Sequence, residues 1–362
     1  MAQPIPEKGA NVKRGNLPDE EKQHIGSALA CLSQALSAGE FAKHEVHIAY
    51  RLLDDAPAGV LKESKFGLVA DRLERSGGPV DEWLLKMLRG NEEVDLAWEA
   101  RGSGWAKDVT KGGWKGFRKH LKQARRILTE AWQARPERPE AAALMMRVTR
   151  GDNGKFGETV RTWFDRAVSA QMDYPEAYFE MLMELRPRWG GSHAAMRAFG
   201  EECLATGRYD TDVPLFYLYA LRNIGTDFEK DGWRQVFRVK GTRRNLKTLF
   251  AGLSAEPRRQ PARDRILTQY AIAMAWSGDY RGAKALWDEV PGDVDLGDGF
   301  LHKALSWSDA PRKSVEAELR AFTGSQADLL SKAETLALNS QVDEALPLFG
   351  KALDVIEEDE GV

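Results

Sequence analysis

The chain is poor in cysteine, in histidine and in long apolar runs. Its 362 residues include two cysteines, Cys31 and Cys203. That number gives no disulfide framework, and their spacing is not that of metal ligands. Cys203 falls on an apolar helical face and reads as packed, and so few cysteines fit a reducing compartment and equally a secreted protein. No apolar stretch approaches the roughly 20 residues of a membrane-spanning helix. Residues 1–24 are polar, with no apolar signal-peptide core behind their charges. The expectation is a soluble, cytoplasmic protein with a disordered tip at residues 1–18. Neither sign of charge dominates: the formal net charge is −3 and the isoelectric point about 6.2, so no global field draws in nucleic acid or acidic lipid.

Catalytic signatures are also missing. There is no nucleophile elbow, no pair of catalytic carboxylates and no glycine-rich dinucleotide fingerprint. Two stretches come near a motif. His44-Glu45-Val46-His47 is one residue short of the zinc pattern H-E-x-x-H, which places its histidines at i, i+3, and no third ligand is signalled. It reads as an exposed polar helix face. Gly151-Asp152-Asn153-Gly154-Lys155 is close to a phosphate loop. That loop needs Gly where Thr149 stands and Ser or Thr where Phe156 stands, and it follows a strand rather than a helix. This segment reads as an inter-helix turn with left-handed glycines. No metal and no cofactor is expected.

What the chain does have is helical periodicity. In Tyr174–Ser192, Pro175 opens a helix and Tyr178, Met181, Leu182 and Leu185 fall at i, i+3, i+4, i+7, one buried face. Arg186-Pro187 stops it, because the residue before proline is pushed out of the α region. Arg188-Trp189-Gly190-Gly191 makes a turn, and Ser192 caps a second helix carrying Met196, Phe199, Gly200, Cys203 and Leu204. Upstream, Ala28, Cys31, Leu32 and Ala35 form one stripe, and Val46, Ile48, Leu52 and Leu53 support a second helix that breaks at Pro57. A helix over Val60 to Leu73 ends in Arg75-Ser76-Gly77-Gly78-Pro79. Another face follows with Val80, Trp83, Leu84, Met87 and Leu88. It is expected to end at Gly90-Asn91, with a short helix beginning at Val94. Residues 101–116, with five glycines and two tryptophans, read as a structured loop and a boundary.

A repeat then emerges. Ala124, Leu128 and Ala131 are echoed by Val160, Phe164 and Ala167, and again by Ala195, Phe199 and Glu202. Ala124 and Val160 lie 36 residues apart, Val160 and Ala195 35. In Arg265 to Val290, Leu267, Tyr270, Ala271 and Met274 precede a Gly278-Asp279-Tyr280 turn, then Ala283 and Trp287. A weaker copy has Leu329, Ala333, Leu336, Ala345, Phe349 and Ala352. On these residues the chain resembles the tetratricopeptide-repeat family, which implies an all-α, right-handed superhelix of helical hairpins. Residues 80–215 also resemble an uncharacterised bacterial family, a domain of unknown function. The shared features are Trp98, Arg101-Gly102 and Trp105, then Gly113-Trp114, a Tyr-Pro-Glu-Ala-Tyr block at Tyr174, and Pro-Arg-Trp-Gly-Gly-Ser at Pro187. The expected organisation is an N-terminal helical region at 19–100, central hairpins at 101–222, a C-terminal helical region at 223–356 and an acidic tail at 357–362.

Two segments concentrate positive charge. Residues 101–135 hold ten Lys or Arg against two acids, and residues 222–265 twelve against five. Trp105, Trp114, Phe117 and Trp132 lie in the first. The tetratricopeptide resemblance implies a non-catalytic scaffold that binds a protein or peptide, and the basic segments suit an acidic one. Candidate contact residues are Arg186, Arg188, Trp189, Arg101, Trp105, Lys115 and Arg118. Basic charge beside aromatic rings also fits nucleic acid, which stands as the alternative, followed by an enzyme whose site is assembled from distant residues.

Overall fold

The structure is a computed structural model. It describes residues 19–37, 46–55, 64–228, 235–290, 309–322, 324–339 and 341–359. The expectations for the tip at 1–18, for Gly39, His44, Pro57 and Val60, and for residues 360–362 lie outside them. All regular structure among the described residues is helical. The chain divides into two compact units, one ending at Glu184 and the other beginning at Leu185.

The first unit holds α1 (Asp19–Ser37), α2 (Val46–Asp55), α3 (Lys65–Arg75), α4 (Glu82–Arg101), α5 (Lys111–Ala134), α6 (Pro139–Asp152), α7 (Val160–Ala170) and α8 (Pro175–Glu184). The buried face of α1 is Leu29, Ser33 and Leu36, one position away from the expected Ala28–Ala35 stripe, and Cys31 is exposed. Helix α4 starts where Asp81 accepts from the Leu84 amide at 2.9 Å. It runs unbroken through Gly90-Asn91, where the sequence suggested an end. Tertiary packing explains the difference. A Cβ on Gly90 would lie 2.5 Å from Leu128 Cδ2, so glycine is there to admit α5. Asn91 is buried and donates to the Tyr50 hydroxyl at 2.8 Å.

Helices α4 and α5 form an antiparallel hairpin fixed at three levels. At the open end Arg135 pairs with Asp81 at 2.6 Å, in the middle Leu128 seats on Gly90, and near the turn a Cβ on Gly116 would stand 2.9 Å from Ala100 Cβ. Residue 101 lies at the end of a helix inside this hairpin, and the two compact units meet at 184/185. Beyond the hairpin, Trp132 meets Trp163 edge-on at 5.5 Å, and the Arg166 guanidinium lies over both indoles. Arg51 on α2 pairs with the fully buried Glu140 of α6 at 2.8 Å and also bonds Gln171. Helix α8 packs on α6 and α7, with Tyr178 against Phe164.

The second unit holds α9 (His193–Ala205), α10 (Phe216–Gly225), α11 (Gln235–Arg238), α12 (Thr242–Ala255), α13 (Arg263–Trp276) and α14 (Tyr280–Asp288). It continues with α15 (Asp309–Ala321), α16 (Gly324–Leu338) and α17 (Val342–Asp359). Ser192 caps α9 as expected, accepting from Ala195 N at 3.1 Å. The main partner of α9 is α10. The two helices of the Tyr174–Ser192 stretch are thus present as read, each with its principal packing inside its own unit. The Arg265–Val290 stretch folds as a hairpin of α13 and α14, its turn capped by Asp279, which accepts from Gly282 N. Phe250 stacks on Tyr270 and Phe237 packs on Trp276.

Two neighbouring glycines test the hairpin geometry with opposite signs. Gly116→Val forces a methyl into Ala100 and lowers stability by about 1–3 kcal/mol. Gly112→Ala, where a Cβ meets only Thr110 Oγ1 at 3.9 Å, raises it by about 0.5–1 kcal/mol through helix propensity. Urea unfolding followed by circular dichroism measures both.

Candidate anion-binding surface on helix α5

Helix α5 begins at Thr110, whose hydroxyl accepts from Gly113 N at 3.0 Å. Its buried face is Phe117, Leu121, Ala124, Leu128 and Ala131, a regular apolar stripe that fixes the roll of the helix. The other side carries Lys111, Lys115, Arg118, Lys119 and Lys122. At 3.6 residues per turn these five fall within an arc of about 100° and span about 16 Å of the helix axis. All five are exposed, and none bonds or pairs with another described residue. Lys107, on the 3₁₀ turn Ala106–Asp108 just before the helix, is exposed in the same way. Asp108 is the one acid among them. Within its span Glu93 of α4 meets His120 at 2.7 Å on the flank of the helix, and beyond Lys122 the arginines are paired. Arg125 bonds Asp152 at 3.1 Å through Nε and reaches Glu158 at 3.5 Å, while Arg126 pairs with Glu130 at 2.9 Å.

Two aromatic rings stand exposed beside this stripe. Trp105 precedes the helix and is 69% exposed. Phe156 lies at the other end, 56% exposed, with the Arg125 guanidinium over one face at 4.6 Å. Phe156 sits in the turn after α6, where Asn153 and Gly154 take left-handed conformations at φ 58° and 67°. The segment near in sequence to a phosphate loop is therefore the inter-helix turn expected. The other tryptophans of the region are half-buried and packed on neighbouring rings. Trp98 and Trp114 both pack on Phe117, and Trp132 packs on Trp163.

The seven candidate residues separate. Lys115 and Arg118 are on the stripe, and Trp105 is at its end. Arg101 is half-buried and organises the turn below them. Its Nη1 donates to the carbonyls of Gly102 and Gly104 at 3.0 and 3.2 Å, and its guanidinium lies over Trp98 and Trp114. Arg186 belongs to the second unit and is built into it, bonding Asn223, Thr226 and Asp227, while His193 shares Asp227 at 2.8 Å. That arginine fastens the turn to the end of α10. Arg188 is exposed and leans on the half-buried Trp189 at 5.5 Å. Lys107, Lys111, Lys119, Lys122 and Phe156 were not among the candidates. The i, i+4, i+7, i+11 spacing of Lys111, Lys115, Arg118 and Lys122 was the available signal for the lysines. Nothing local to Phe156 marked it.

The second basic segment is largely engaged within the fold. Arg238 pairs with Glu334, Arg243 donates to the Ser277 carbonyl, Lys247 pairs with Asp279, and Arg259 holds Asp212 and two carbonyls. Lys230 and Arg234 lie outside the described residues. Lys240, Arg244 and Arg265 are exposed there without a described partner.

His47, expected on an exposed face, is instead buried at 4% exposure against Trp83. Arg135 lies 3.3 Å from its Nε2. A guanidinium only donates, so that nitrogen accepts and the ring is neutral. Burial lowers its pKa to about 4, helped by Arg138 and Arg135 and by Arg51, with Asp81 opposing. Among the described residues no group of three His, Cys, Asp or Glu could hold a metal ion, and no helix is long and apolar enough to cross a membrane. Burial also pushes the Cys203 thiol up to about 12, which keeps it an unreactive packing group. Comparison of the chain with protein families, with curated proteins and with solved structures gives no match.

The depressed His47 pKa has a sign that can be measured. Above pH 6.5 the ring is neutral in both the folded and unfolded states and contributes nothing to the pH dependence. Below it the unfolded chain takes up a proton that the folded one refuses until about pH 4, so stability falls across that window by about 3 kcal/mol. Unfolding free energies of the wild type and His47→Asn, measured from pH 7 to 4, should diverge by about that amount over the window. Parallel curves would show that His47 does not titrate in this way.

Proposed function

We propose that this protein is a non-catalytic, cytoplasmic interaction scaffold. Its hairpins stack as a tetratricopeptide-like, right-handed α-solenoid that holds the outer face of α5 toward an anionic macromolecular partner. The observation that carries this reading is the stripe Lys111, Lys115, Arg118, Lys119 and Lys122, exposed and unneutralised on one helical face. Charges that serve the fold are met by acids, as Arg125, Arg135 and Arg259 are. Those on the stripe are left to solvent, and an electrostatic footprint of this kind attracts and orients a partner of opposite sign. The free thiol of exposed Cys31 and the buried, unbonded Cys203 support a reducing compartment.

At pH 7 the whole chain carries a formal charge of −3, so retention on a phosphate-bearing matrix has to come from a local surface. The wild type is expected to bind phosphocellulose at low salt and to elute as salt rises. A variant with Lys111, Lys115, Arg118, Lys119 and Lys122 all changed to Gln should flow through with its helical spectrum intact. The control Lys240→Gln/Arg244→Gln/Arg265→Gln should bind as the wild type does. Equal retention of all three proteins would remove α5 from the proposal.

A further inference from the structure

We infer that the anionic partner of the α5 face is a single-stranded nucleic acid. The inference rests on the reading of that face as a partner-binding surface, and it adds the chemistry of the occupant. Four features of the surface select among polyanions.

The first is the pairing of charge with exposed rings. Trp105 and Phe156 flank the stripe at opposite ends and present faces to solvent. An unpaired strand offers phosphates to the lysines and bare base faces to the rings, the combination used by proteins that hold single strands without sequence preference. A duplex keeps its bases stacked on one another and would leave both rings idle.

The second is composition. Five of the six unneutralised cations, counting Lys107, are lysines. Lysine is depleted in the cores of protein–protein interfaces, whereas it meets phosphate readily as a point charge. An acidic protein surface would be better matched by arginines able to grip carboxylates in a bidentate fork.

The third concerns lipid. A basic amphipathic helix binds anionic membranes by sinking its apolar face below the headgroups. The apolar face of α5 is already covered, with Phe117, Leu121 and Leu128 at most 3% exposed. Two separated rings do not replace it.

The fourth is length. From Lys111 to Arg125 the helix advances about 21 Å. That suits a short site, about four nucleotides, the low end of the range for strand-binding folds. Arg125 also backs the Phe156 ring, giving that platform a cationic support on the face away from the strand.

The experiment measures fluorescence anisotropy of labelled probes with the full chain across a salt series. The probes are an oligothymidylate of about twelve nucleotides, a duplex of similar length, a polyglutamate peptide and vesicles containing phosphatidylserine. For about four phosphate contacts the oligothymidylate affinity should fall with salt at a logarithmic slope of about −3. Lys115→Gln/Lys119→Gln/Lys122→Gln should flatten that slope by about 2. Trp105→Ala and Phe156→Ala should each weaken binding roughly 5- to 150-fold and leave the slope unchanged, with circular dichroism melts confirming that they fold. Duplex bound as tightly as the single strand, together with full affinity in both ring variants, overturns the inference. So does capture of polyglutamate or vesicles without the oligonucleotide, although the scaffold reading then survives. If none of the four probes binds, both readings fail.

Discussion

The close approach of α4 and α5 sets the position of everything else in the first unit. Small residues permit it: Gly90 receives Leu128, and Gly116 lies against Ala100. Arg135 then locks the open end to Asp81, the same carboxylate that caps α4. Helix α5 buries a stripe of five apolar residues against its neighbours and so has no freedom to roll. Its remaining arc is turned to solvent by the packing on the opposite side. A bulkier residue at Gly90 or Gly116 would act on the surface indirectly, through the helix that presents it.

Two segments of similar basic composition meet different fates, and the reason is the supply of acids from elsewhere in the fold. Around residues 222–265, Asp212, Asp279 and Glu334 come in from other elements and take up Arg259, Lys247 and Arg238. Along the first two turns of α5 the neighbouring elements supply none. Glu93 of α4 meets His120 on the flank of the helix, and at Arg125 the turn after α6 brings Asp152 and Glu158. Net charge by segment cannot distinguish these cases, because pairing is settled by residues far apart in sequence.

The same distinction separates what the sequence reveals from what it hides. Periodic apolar spacing located the helices well, and the Arg75–Pro79 break, the Ser192 cap and the α13–α14 hairpin are as read, since each is decided by residues within a few positions. The misreadings involve distant partners. Gly90-Asn91 carries a local breaking signal, yet Leu128 and Tyr50, 38 and 41 residues away, make both residues part of a continuous helix. His47 looked polar and exposed because nothing near it in sequence announces Trp83 or Arg135. Arg186 had the composition of a contact residue, but Asp227 claims it. Lys115, Arg118 and Trp105 survived as surface candidates, and the rest of the stripe was visible in the i, i+4 spacing once α5 was known to be one helix starting at Lys111.

The stripe also runs against the helix that carries it. Lys111–Lys115, Lys115–Lys119 and Arg118–Lys122 are like-charge pairs at i, i+4, and Lys115–Arg118 and Lys119–Lys122 are pairs at i, i+3. Each opposes helix formation by about 0.2–0.5 kcal/mol at low salt. Lys111 and Lys115 add to this by standing near the positive end of the helix dipole, where acids are favoured and cations are not. The sequence has acids available, as the first turns of α4, α6 and α8 show with Glu82, Glu140 and Glu176. A helix arranged for stability alone would carry the same there. Where local electrostatics and the fold disagree in this way, the conflict marks a surface kept for a purpose other than folding. An anionic partner removes the conflict, because each bound negative charge relieves the repulsion among the lysines and the unfavourable dipole at once. The strain in free α5 therefore becomes part of the driving force for binding, and it weakens with added salt by the same screening that weakens the contacts themselves.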